Sequence, residues 1–368
     1  MNRLSSLALV FLAVSSAVAC NSSSGSDTSA VAEMACAMDA QIYCDKRKTC
    51  WPDGVNDFRF QRDWGTVQTC MDQRKASCVL DVQRKFSGVT ALRVEGCARA
   101  LQSQSCPDFV AGIALPTSSC PPVVGMIDDG AACVAGNQCK SNYCDRAEDQ
   151  LCGKCADKGG IGAACDQSAD CAGGLSCQPT ADMLSHTCEM PVPAAPKGKA
   201  GEACGGVLPA CDTGLTCVGT GTMKTCMAQL TTAAAPCDPT RKMLPDCESA
   251  TNHLYCNKST MTCEARKFVP AGQPCNELPD GSFAMCSGGA NCVRPKDPTT
   301  MARPAAGTCA ADVGPGQRCW RDGADGPGCA PPLRCVYDAV GAPSGTCLGQ
   351  DYALCGKPLP AHDAGATD

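Results

Sequence analysis

Apolar positions along the chain follow three successive rhythms. The first stretch, MNRLSSLALVFLAVSSAVA, places Arg3 ahead of an apolar run from Leu4 to Val14 and closes on small residues, Ser15 to Ala19. That order reads as a secretory signal peptide over residues 1–19, with Ala17-Val18-Ala19 as its cleavage motif. Between residues 33 and 120 the period becomes helical. Val94, Cys97, Ala98 and Leu101 fall at i, i+3, i+4 and i+7, which predicts a helix. Trp64, Val67, Met71 and Cys78, with Cys70 alongside, predict a second, running to about Phe86 and ended by Ser87-Gly88. Met34, Met38 and Ile42 at i, i+4 and i+8 predict a third over residues 33–48. Beyond residue 125 neither the helical nor the strand period persists, and cysteine carries the pattern.

A repeat of about 30 to 45 residues emerges there. Glycine stands three residues before a cysteine at Gly130, Gly162, Gly201, Gly272 and Gly316, with Ala234 in the equivalent place of a fourth unit. Six units follow between residues 125 and 357. They are Cys133, Cys139, Cys144, Cys152; Cys165, Cys171, Cys177, Cys188; and Cys204, Cys211, Cys217, Cys226. The later three are Cys237, Cys247, Cys256, Cys263; Cys275, Cys286, Cys292, Cys309; and Cys319, Cys329, Cys335, Cys347. Cys155 and Cys355 remain, to pair with each other or within their neighbouring units. Leucine stands two residues before the third cysteine at Leu175, Leu215, Leu254 and Leu333. Four cysteines per unit allow three connectivities, and the sequence does not choose among them.

Composition accounts for this change of rhythm. Of 368 residues 35 are cysteine, while aromatic residues are 4%. So much cysteine with so few large apolar side chains predicts a small disulfide-rich fold class rather than one large core. It also predicts an oxidising compartment. Seven aromatics, Tyr43, Trp51, Phe58, Phe60, Trp64, Phe86 and Phe109, concentrate in residues 33–120. With Cys36, Cys44, Cys50, Cys70, Cys78, Cys97, Cys106 and Cys120 they predict a disulfide-stapled helical domain. The expected architecture is that domain followed by an extended array of short β-ribbon modules. Residues 358–368 read as a disordered tail. The net charge of −6 argues against a nucleic-acid partner.

Two resemblances sharpen the address and the architecture. Ala17-Val18-Ala19 followed by Cys20 resembles a bacterial lipobox, with Ala17 where leucine is usual. The resemblance implies lipidation of Cys20, with residues 21–32, NSSSGSDTSAVA, as a polar tether. Setting Cys20 aside leaves 34 cysteines, an even number. The element G-x-x-C, then C, then GL-x-C, then C over residues 130–350 looks like the Dickkopf N-terminal cysteine-rich domain and the EB modules of secreted animal proteins. It is also similar to arrays in predicted myxobacterial surface lipoproteins. The resemblance implies modules that bind other proteins.

Other chemistry finds little purchase. Structural zinc favours paired C-x2-4-C knuckles, yet only Cys152–Cys155 and Cys139–Cys144 have such spacing, and the chain has three histidines. The same Cys152-Gly153-Lys154-Cys155 resembles a redox dithiol but lacks a βαβ context. His186, His253 and His362 lie in no recognisable catalytic motif. The turn Asp322-Gly323-Ala324-Asp325-Gly326 lacks the Asp spacing of a calcium loop. Trp320 beside it reads as packing rather than as a binding anchor. Lys46-Arg47-Lys48 reads as a solvated helix end. The expectation is therefore an exported, non-enzymatic lipoprotein of the outer membrane or cell surface, or otherwise secreted, without cofactor or metal. Its partners are the membrane through Cys20 and an extracellular protein or polysaccharide. A protease inhibitor or toxin-like effector, a structural envelope spacer, and an enzyme in the N-terminal domain are the rivals.

Overall fold

A computed structural model describes residues 26–51, 57–147, 149–165, 168–180, 186–191, 196–205, 208–249, 253–297 and 299–355. The signal peptide, Cys20, His362 and the 358–368 tail lie outside the described residues. The helical head contains α1 (Ser26–Cys50), α2 (Phe58–Asp63), α3 (Val67–Gln83), α4 (Ala91–Ser103) and α5 (Cys106–Val110). Helix α1 begins inside the stretch expected as tether. The helix expected from Trp64 is interrupted at Gly65, whose φ of 69° ends α2. Thr66 then caps α3, accepting the Thr69 N–H at 3.0 Å.

The buried face of α1 is not its methionine stripe. Ala32, Ala35, Cys36, Ala40 and Cys44 face the core, whereas Met34 is 73% exposed. Small residues let α1 approach α3 and α4 closely, and the cystines Cys36–Cys78 and Cys44–Cys70 fill the space between them. Cys50–Cys106 and Cys97–Cys120 tie down α5 and the segment that follows α4. The basic run also departs from expectation. Arg47 is buried, with its guanidinium 3.7 Å from the Trp51 ring centre and 5.5 Å from that of Trp64. Asp57, the N-cap of α2, lies 3.5 Å away. A planar, weakly hydrated guanidinium tolerates such stacking where an ammonium does not.

The six modules share one bridge pattern. The third and fourth cysteines sit opposite each other across an antiparallel ribbon, as Cys177 does Cys188 and Cys217 does Cys226. They do not bond to each other. The first bonds the third and the second bonds the fourth: Cys165–Cys177 with Cys171–Cys188, Cys204–Cys217 with Cys211–Cys226, and Cys237–Cys256 with Cys247–Cys263. Cys275–Cys292 with Cys286–Cys309 and Cys319–Cys335 with Cys329–Cys347 repeat it. Modules two, three and four are plain two-stranded ribbons; module five builds a five-stranded sheet and modules one and six three-stranded sheets.

Module one corrects the cysteine reading. Its pairs are Cys133–Cys144 and Cys139–Cys155, so Cys155 is the fourth cysteine. Cys155 lies opposite Cys144 in the ribbon, and Cys152 instead bonds Cys355. The spacing from Cys144 misleads because the ribbon connection is longer than the first candidate cysteine allows.

The array folds back on the head rather than extending from it. Gly288 and Gly289 of module five donate to the carbonyls of Gln61 and Arg62 in α2. Phe58 stacks on His253 of module four at 4.5 Å and meets Phe268 edge-on at 5.4 Å. Module one seals the end of α3 through Gln138, whose side chain is wholly buried. Its Oε1 accepts from the N–H of Val134 and Ala135, and its Nε2 donates to the Lys85 carbonyl. The Cys152–Cys355 bridge joins the last module to the first, where Tyr352 meets Phe86 at 5.3 Å. Neither head nor modules are large enough to bury their aromatic residues alone, and docking covers both.

Candidate binding surfaces

Chemistry proposed for single residues resolves into structure at most positions. Three sulfurs converge within 4.8 Å in module after module, for instance Cys165, Cys171 and Cys188. Each is half of a disulfide, and a bonded sulfur is not the thiolate a metal requires. The two cysteines of Cys152-Gly153-Lys154-Cys155 have different partners, so they do not form a dithiol pair. Arg303 pairs with both Asp322 and Asp325, at 2.7 and 2.6 Å, which occupies the turn considered for calcium. The Trp320 ring lies so close to Gly326 that a Cβ there would fall 2.3 Å from it, so Trp320 packs on backbone. His186 is exposed on its ribbon, and His253 is spent in the stack on Phe58.

The aromatic residues of the head do not outline a pocket. Trp51 and Trp64 hold Arg47, Tyr43 meets Trp64 and Phe109 edge-on, and Phe58 turns outward to module four. Concavity lies elsewhere. A cleft of about 360 Å³ opens between α2 and module five, lined by Arg62, Asp63, Asn276, Phe283, Met285 and Asn291. Behind it Asp312 is half-buried between modules five and six. Burial raises its pKa, and the Gly328 N–H partly offsets that shift. A second hollow of about 490 Å³ lies among α1, α3 and α4, with the Asp39–Arg74 ion pair at 2.7 Å on its wall.

No family model, curated protein or solved structure matches the chain. The surface must therefore be read from its own residues.

Beside the cleft, module four presents a satisfied polar network. Tyr255 donates to Glu264 at 2.8 Å, and Asn257 donates to the other carboxylate oxygen at 2.9 Å. Burial, then the bond to Glu264, pushes the Tyr255 phenol up to about 12. Bonds from Asn257, Tyr255 and Thr260 hold Glu264 below the usual carboxylate range. Asp238 is lowered in the same way, chiefly by the Thr240 hydroxyl and then the Met243 N–H. These acids fix turns. Two apolar side chains also face solvent at loop tips: Met223 beside its ribbon turn is 83% exposed and Met243 is 82% exposed. Composition and spacing did not single out these tips, nor Gln138, Phe58 and Arg47 as docking residues. Their roles come from contacts far apart in sequence.

Proposed function

We propose that the protein is an exported, lipid-anchored, non-catalytic surface protein whose disulfide-stapled modules bind an extracellular protein or polysaccharide. One observation carries this reading: 17 bridges pair 34 of the 35 cysteines and leave Cys20, the residue at the lipobox-like site. Complete pairing favours an oxidising compartment. Rigid ribbons with exposed apolar tips at Met223 and Met243 favour recognition by surface contact. The resemblance to Dickkopf-like and EB-like modules supports a protein partner.

The experiment is the intact mass of the membrane-extracted protein after alkylation without reduction. The expected result is no alkyl adduct and an excess mass matching acyl chains on Cys20. Many adducts with no acyl mass would overturn the reading. The exposed tips also favour an inhibitor-like role, which inhibition of proteases by the purified protein would reveal. The Cys152–Cys355 closure weighs against an outstretched spacer.

A further inference from the structure

Helix α1 begins at the end of the head where α3 stops and α4 starts. Ser29 accepts from Gln83, the last residue of α3, at 3.1 Å, and Ala35 and Cys36 pack on Val94 of α4. Five residues lie between Cys20 and Ser26, so the two are at most about 20 Å apart at full extension. Whatever holds Cys20 is therefore confined near this end of the head.

From this end a groove of about 690 Å³ runs the length of α4, from Thr90, Leu92 and Arg93 past Arg99 to Ser103, with Ser119 on its opposite wall. No carboxylate lines it among the described residues. Arg93 is oriented by its Nε, which donates to the Pro121 carbonyl at 2.7 Å, and no carboxylate pairs with it among the described residues. Partial burial lowers its pKa. Arg99 is itself exposed and pairs with the half-buried Glu95 at 3.3 Å, a contact that adds little in water. Leu92 on the groove is 80% exposed.

The chain segment that follows the groove's far wall is apolar and uncharged up to Asp128. Between Asp108 and Asp128 the chain has no charged residue. Val124 and Met126 are each 62% exposed. Both are held at this end: Gly88 approaches Val124 too closely for any Cβ, and Met126 donates to the Phe86 carbonyl. Exposed aliphatic side chains beside arginines, with hydroxyls between them, match the boundary between lipid headgroups and acyl chains.

We propose that the α4 groove docks on an anionic bilayer, with Arg93 and Arg99 on lipid phosphate and Leu92, Val124 and Met126 at the acyl boundary. The proposal rests on the lipid-anchored reading, because the Cys20 anchor brings this end to the membrane. The anchor and the groove then act as two weak signals on one surface, the combination that makes peripheral attachment stable.

The test uses the exported full chain carrying Cys20→Ser, so that no acyl chain contributes. It is floated with vesicles of phosphatidylcholine, with and without phosphatidylglycerol, at low salt. Binding is expected only with phosphatidylglycerol, falling about fivefold for each of Arg93→Gln and Arg99→Gln. Leu92→Asp, at an exposed position, should abolish it, whereas Lys258→Gln on module four should leave it unchanged. Equal binding of these variants and the parent, or equal binding to both vesicle types, would overturn the proposal. Retention on an acidic polysaccharide without vesicle binding, or protection of the groove by inorganic phosphate alone, would overturn it too. The acyl mass on native Cys20 is read separately, so loss of the anchor and failure of the groove are distinct outcomes.

Discussion

The backbone N–H of Ala234 donates to the carbonyl of Cys263 at 2.8 Å while Ala234 holds a φ of 63°. The same bond closes every module: Gly130 to Cys155, Gly162 to Cys188, Gly201 to Cys226, Gly272 to Cys309 and Gly316 to Cys347. The five glycines hold φ between 77° and 85°. The turn therefore requires a left-handed residue, and only module four supplies one with a Cβ. The left-handed conformation costs an alanine about 1–2 kcal/mol, and a glycine loses about 0.5–1 kcal/mol more on ordering. Ala234→Gly should thus stabilise module four by about 0.5–1 kcal/mol, read as slower hydrogen exchange at Cys237 and Cys263.

Gln138 is the polar plug between head and module one. Gln138→Leu keeps volume but leaves the Val134 and Ala135 N–H groups and the Lys85 carbonyl without their buried partner. Each such group costs about 1–3 kcal/mol. The variant should lose protection across residues 84–88 and 127–139, while module three exchanges as in the parent.

Arg47 carries the stack inside the head. Arg47→Met leaves the Asp57 carboxylate without its cation, which should cost about 3 kcal/mol. Arg47→Lys should fail to restore the stack, because an ammonium lacks the planar face. Tryptophan fluorescence reports it through Trp51 and Trp64.

Tyr255 sets an alkaline limit on module four. Its pKa is raised to about 12 in the fold, above the ordinary tyrosine value of about 10. The stabilisation is therefore complete below about pH 10 and is lost as the pH rises towards 12. Tyr255→Phe should flatten that dependence. Absorbance of the phenolate at high pH, followed beside circular dichroism, measures both.

Cys152–Cys355 is the one bridge that joins distant modules, with a sequence separation of 203 against at most 56 for the others. Replacing both cysteines with serine should leave the other 16 bridges intact. Residues 349–355 should then become protease-sensitive, and the radius of gyration should rise as module six leaves Phe86.

Cysteine spacing made the modules legible because the two bridges inside each module are local, with sequence separations of 11 to 23, whereas Cys152–Cys355 is not. The G-x-x-C element was legible for the same reason, since a left-handed turn is a property of a few consecutive residues. The helix over α4 was legible because its apolar period matches its buried face at Val94, Ala98 and Leu101. The α1 stripe misled because alanine and cysteine, not methionine, meet the neighbouring helices.

Tertiary structure alone decided the choice between Cys152 and Cys155, since only the ribbon register brings Cys155 opposite Cys144. It alone decided that Arg47 is buried, because Trp51, Asp57 and Trp64 surround it only once α2 folds against α1. It alone turned the array back onto the head, through Phe58 on His253 and Tyr352 on Phe86. These contacts join residues far apart in sequence, on different units of the chain. Local sequence sets how each unit closes, but the surface each unit leaves uncovered decides what it docks against.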